Sequence, residues 1–307
     1  MIKNDSISIR TGLLLGATVL CTYLLMVMGT FVTSTGSGLA CPDWPLCYGT
    51  VVPPGYLSIW FEWSHRLLGG LTGFFVLLST FFVWRHYRGI PRVLTSIVLG
   101  LLGLGVVLGG IIVLIEAPLL SSVVHLIVIS SHLIIATVIL TCLIFTLAYV
   151  LKHKAGSSGS ASSHYKLLFG AVYLQVLLGI IVRYSGATLA CPDFPQCSGS
   201  FLPAMDNSLA ILHFVHRLGA LAIFAISASL FYTALKEKKG EAWGYGHVFG
   251  LVLLQAFFGI MIVRTSMFLP IIILHGATGF MLLGYLAFRS YPSIFRSKEL
   301  KRAERSV

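Results

Sequence analysis

Charge is what this 307-residue chain has least of: Asp, Glu, Lys and Arg make up 10% of it, and only 10 residues are acidic. Water-soluble domains carry about a quarter of their residues charged, so that class is excluded. No polar stretch between the apolar runs is long enough to fold as a separate soluble domain. No small-residue cleavage site follows the first apolar run, which is therefore expected to be a retained span rather than a leader. The formal net charge of +11 would fit a nucleic-acid surface only if the basic residues formed a patch, and their distribution shows that they do not.

What is present is apolar length. Hydrophobic residues make up 57% of the chain, with a mean hydropathy of +0.92. A run of about 20 apolar residues crosses the bilayer core as a helix, and such runs occur at about 12–34, 60–84, 93–115, 121–150, 167–184, 208–235, 243–264 and 268–288. The fold expected is an all-α integral membrane protein with eight transmembrane helices. Of the 21 Lys and Arg residues, 17 fall on one side of these spans. Lys3 and Arg10 precede the first span, the Arg85, Lys152 and Lys236 connections carry more, and the rest lie in the tail after residue 288. The positive-inside rule then places both termini in the cytoplasm.

The chain repeats itself at an offset of 150. "LACPDWPLCYG" at 39–49 returns as "LACPDFPQCSG" at 189–199, Gly29 returns as Gly179, and Gly109 as Gly259. Each copy has four spans, an even number, so both enter the membrane in the same sense, as two tandem four-helix bundles related by a pseudo-twofold axis. The expected divisions are residues 1–151, a polar linker 152–166, a second half 167–288, and a basic tail 289–307.

Polar side chains inside spans usually face the bundle and act there. "EWSHRLLG" places His65 near the outer end of the second span, and "HFVHRLGA" places His216 likewise in the sixth. "SSVVHLIV" places His125 in the fourth and "IIILHGAT" places His275 in the eighth. Two histidines on two facing helices suit the opposed axial ligands of a six-coordinate haem. A tetrahedral zinc site would need three or four convergent ligands. An interhelical hydrogen bond is the plainer reading of each histidine alone, and the duplicated pair of pairs argues against it. His132, without a partner at the 150 offset, reads as a hydrogen-bonded core residue. His86, His153, His164 and His247 read as surface residues.

The halves differ at one informative point. Three residues before His65 stands Glu62, and three before His216 stands His213. A carboxylate here serves as a proton acceptor or stabilises positive charge on a substrate; equally, it is an interfacial residue paired with Arg66. Arg66 and Arg217 follow the histidines and suit haem propionates, or else reach to lipid headgroups. In the loops, the two prolines between Cys41 and Cys47, and between Cys191 and Cys197, hold each pair close, which suits disulfides on an oxidising face, structural or redox-active. The spacing is not that of covalent haem attachment, so haem is expected to be non-covalent.

Taken together, "TGSGLACPDWPLC", "EWSHR", "VVHL", "LACPDFPQC", "HRLGAL" and "LHGATG" make the whole chain similar to haem A synthases, bacterial members with cysteine pairs in both halves. The resemblance implies oxidation of the haem O methyl substituent, through an alcohol, to the formyl group of haem A for terminal oxidases. It implies that His65 and His125 ligate the substrate haem with Glu62 as catalytic carboxylate, and that His216 and His275 ligate haem b. It further implies a functional Cys41–Cys47 disulfide with Cys191–Cys197 as structural counterpart, and a bacterial cell-membrane location with both loops outside. The partners implied are haem O, the lipid bilayer and an electron acceptor. Docking with the upstream haem O synthase is a hypothesis that follows from handing over a poorly soluble haem. The competing readings are a dihaem electron-transfer cytochrome, which needs no carboxylate asymmetry, and a quinone-coupled thiol oxidase, which needs the cysteines more than the histidines.

Overall fold

A computed structural model describes residues 2–114, 123–155, 163–237 and 240–304. Among them are eight helices long and apolar enough to cross a membrane, and no named strands. They are α1 (Ile2–Ser34), α2 (Leu57–His86), α3 (Ile90–Leu114), α4 (Val123–Ala155), α5 (Ser163–Tyr184), α6 (Ser208–Lys236), α7 (Ala242–Arg264) and α8 (Leu269–Glu304). Every expected run falls on one helix. The protein is a multi-pass membrane protein.

Local chemistry sets the helix ends. The Asn207 side chain accepts a hydrogen bond from the Ala210 N–H at 3.1 Å and caps α6. Pro91 stands in the first turn of α3, where its missing N–H breaks no hydrogen bond. Inside the spans Thr18 is satisfied without water: it donates to the Leu14 carbonyl at 2.8 Å and lies 2.6 Å from Ser79 Oγ on α2.

The chain forms two compact units, Met1–Ala161 with Tyr291–Val307, and Ser162–Ser290. In the first, α1 packs against α2 and α4, and α3 packs against α4. In the second, α6 packs against α5 and α7, while Leu283 and Leu286 of α8 join Leu168 of α5 and Val248 of α7 in its core. Of the expected 152–166 linker, residues 156–162 lie outside the described residues. The tail differs from expectation at its start. α8 continues past residue 288 as helix, and Tyr291 and Phe295 pack against Phe145 of α4 with ring centroids 6.3 and 5.3 Å away.

The duplication extends to backbone detail. Each unit has a short 3₁₀ turn, Ser37–Leu39 or Ala187–Leu189, entered through a left-handed glycine, Gly36 or Gly186. Each loop has a cis peptide before Pro45 or Pro195 and a disulfide, Cys41–Cys47 or Cys191–Cys197. In the first unit the loop reaches α3, where a Cβ on Gly110 would lie 3.3 Å from the Trp44 ring.

Candidate haem-ligand sites

Each half seats imidazole rings against glycine. A Cβ on Gly29 of α1 would lie 3.2 Å from His65 Cε1, and one on Gly179 of α5 would lie 3.1 Å from His216 Cε1. On the other face, Gly259 of α7 holds His275 Cε1 at 3.2 Å in the same sense, and Gly109 of α3 holds His132 Cε1 at 3.5 Å. These positions lack a side chain because a ring occupies the space. All four histidines are half-buried, as rings lining a ligand cleft should be.

The repeat therefore pairs His132, and not His125, with His275. His132 Nδ1 donates to the Gly105 carbonyl at 3.0 Å, and His275 Nδ1 donates to the Gln255 carbonyl at 3.2 Å, with Gly105 and Gln255 equivalent at the 150 offset. Burial follows the same register, since Leu140 and Leu143 are 1% exposed and Leu283 and Leu286, 143 positions on, are 0%. The physical reason lies in the connections: the chain from the end of α3 to His132 is seven residues longer than that from the end of α7 to His275. The expected match was of His125 to His275. The His125 side chain lies outside the described residues.

A proton on Nδ1 leaves the Nε2 lone pair of His132 available, the nitrogen that haem iron takes; at His275 the same lone pair faces the Gln255 side-chain amide at 3.3 Å, which a bound haem would displace. His65 Nδ1 is buried with no hydrogen-bond partner, an uncommon condition for a polar atom in a core. No cluster of three or more His, Cys, Asp or Glu side chains able to hold a bare metal ion occurs among the described residues. Two imidazoles per half, packed on glycine and without further ligands, fit a bis-histidine haem.

Beside His65 lies a buried ionic latch. Glu62 is 3% exposed, accepts the Cys41 N–H at 2.7 Å and pairs with Arg66 at 2.5 Å. Arg66 also donates to the carbonyls of Asp43 at 2.7 Å, Leu46 at 2.5 Å and Cys41 at 3.3 Å. Asp43 turns the loop further by accepting the N–H groups of Tyr48 at 2.6 Å and Gly49 at 2.8 Å. The Gly49 N–H first, the Tyr48 N–H and the Arg66 charge hold its carboxyl below the usual carboxylate range.

The second half keeps this scaffold with an imidazole in place of the carboxylate. The Cys191 N–H lies 3.4 Å from His213 Nδ1 and Arg217 Nε 3.3 Å from His213 Nε2, of which a neutral ring accepts only one, and Arg217 donates to the Gln196 and Cys191 carbonyls at 2.8 and 2.7 Å. Arg66 and Arg217 thus hold the two loops. His86, His164 and His247 are exposed, as expected.

Sequence reasoning missed the placement of His132 and two glutamines, Gln175 and Gln255. The glutamines carried a visible signal: all three glutamines of the chain lie in its second half, two of them inside apolar spans.

Fold and site together define a class: multi-pass membrane proteins with eight apolar helices and two disulfide-closed loops, each held by side chains of the helix that follows it. The sequence profile of the cytochrome oxidase assembly protein family COX15-CtaA matches residues 12–57 and 56–287, and the chain belongs to this family. It is 32% identical over 305 residues to a protein of Bacillus mycoides (strain KBAB4) named heme A synthase, covering 92% of this chain and 95% of that one. A heme A synthase of Bacillus cereus (strain 03BB102) is 31% identical over 295 residues, covering 90% and 92%.

Proposed function

We propose that the protein is a haem A synthase, oxidising the methyl substituent of haem O to the formyl group of haem A. The observation that carries this reading is the asymmetry of two otherwise matching histidine pairs: one has a buried carboxylate a helical turn away, Glu62, and the other has His213. An electron-transfer dihaem protein has no need of that difference.

In this reading His65 and His132 hold the substrate haem in the first half, and His216 and His275 hold a resident haem b in the second. His132 takes the place first assigned to His125 because its ring shares the seat and the carbonyl contact of His275. Haem b, when bound, supplies one-electron redox chemistry. Glu62 keeps a negative charge beside the first-half haem, where it stabilises positive charge on the substrate or accepts its proton. Arg66 and Arg217 act as loop anchors, and a propionate contact would have to break one of their bonds to the loops. The Cys41–Cys47 disulfide fixes the backbone N–H that holds Glu62. The basic residues support cytoplasmic termini, with both cysteine loops on the outer face of a bacterial cell membrane. The farnesyl tail of haem O lies between helices or in lipid.

The test is conversion in cells supplying haem O. His65→Ala and Glu62→Ala abolish it, while His216→Ala loses the resident haem; full turnover by Glu62→Ala would remove the proposed role of the carboxylate.

A further inference from the structure

The two halves differ in what stands behind the ligand rings. In the second half the Gln175 amide of α5 lies 3.1 Å from His216 Nδ1 and donates to the His216 carbonyl at 2.7 Å. It reaches that position over Gly219, where a Cβ would lie 2.2 Å from Gln175 Oε1. On α7 the Gln255 side-chain amide instead lies 3.3 Å from His275 Nε2, the nitrogen an iron would take, and does not stand behind that ring. In the first half Leu25 stands at the position of Gln175. His65 Nδ1, the counterpart of the nitrogen beside Gln175, is the buried ring nitrogen without a partner.

An amide can donate or accept, so it partners Nδ1 in either protonation state, whereas leucine does neither. A hydrogen bond at the nitrogen away from the metal fixes the ring's orientation and raises its basicity as a ligand. Given the haem reading above, on which this inference rests, we propose that Gln175 is a positioning residue that makes the second half a retaining haem site. The absence of such an anchor leaves His65 a labile ligand from which haem departs. A resident cofactor needs slow release; a substrate site that must discharge product needs the opposite. The duplicated unit has thus been divided into a holder and an exchanger by a polar substitution behind His216.

The experiment uses the full chain carrying His65→Ala, so that haem is held by the second half alone, and follows transfer of that haem to apomyoglobin. Adding Gln175→Leu accelerates release about tenfold and shifts the midpoint potential of the haem upward, because the ligand loses basicity. A purely structural role would not move the potential. The reciprocal Leu25→Gln change, in a His216→Ala background, slows release of haem from the first half and lowers its potential. Parental release rates and potentials in both variants would overturn the inference while the haem reading stands. A wild-type protein purified without haem would overturn the reading itself.

Discussion

Replacing Glu62 by alanine removes one acceptor from two donors in a dry place. The Cys41 N–H, in a residue 0% exposed, is left without its carboxylate, which costs about 1–3 kcal/mol. Arg66 loses its counter-ion. Breaking a buried pair from one side costs about 3–5 kcal/mol, but Arg66 keeps the carbonyls of Asp43, Leu46 and Cys41, so its share is small and the cost is mainly that of the Cys41 N–H, about 3 kcal/mol. His213→Ala removes no ion pair: of the two long contacts, 3.4 and 3.3 Å, a neutral ring accepts one, worth roughly 1 kcal/mol. At about 1.4 kcal/mol per decade, amide exchange in the 39–50 loop accelerates about a hundredfold in Glu62→Ala, whereas His213→Ala accelerates the 189–200 loop only about fivefold. Hydrogen exchange with mass spectrometry reads both loops in one protein. Equal acceleration of the two would refute the assignment of Glu62 as an ionic latch.

His132→Ala removes haem from the first half and His125→Ala leaves it, which absorption spectra of the two variants in a His216→Ala background will decide. Gly179→Ala, whose Cβ would lie 3.1 Å from His216, depletes haem from the second half, while Gly170→Ala, with nothing within 4 Å, keeps it and steadies α5; pigment content checks both. Asp43 has a depressed folded pKa, so its hold on the loop is complete above the ordinary carboxylate value and is lost as pH falls through the lower, folded one. Cys41–Cys47 should therefore become easier to reduce with an acid-tolerant phosphine over that window, and Asp43→Asn should abolish the pH dependence.

The helices and the duplication were legible because apolar length and a constant offset of 150 are one-dimensional signals. The register of α4 was not, since the longer α3–α4 connection breaks the offset between two helices that otherwise match, and "VVHL" offered a histidine at the unbroken count. Aligning α4 on α8 alone, 143 positions apart, would have found His132 through the buried leucines. The Glu62–Arg66 pairing was foreseeable from helical spacing. The grip of Glu62 on the Cys41 N–H was not, because it depends on how the disulfide loop folds back over α2. The glutamines were polar residues in apolar runs, a signal outweighed by the histidines beside them.

The central claim is that one half oxidises haem while the other retains it. Mass spectrometry of haem extracted from protein purified from cells supplying haem O tests it most directly. The account predicts haem A or its hydroxylated precursor alongside haem b; haem b alone would contradict it and point to an electron-transfer cytochrome.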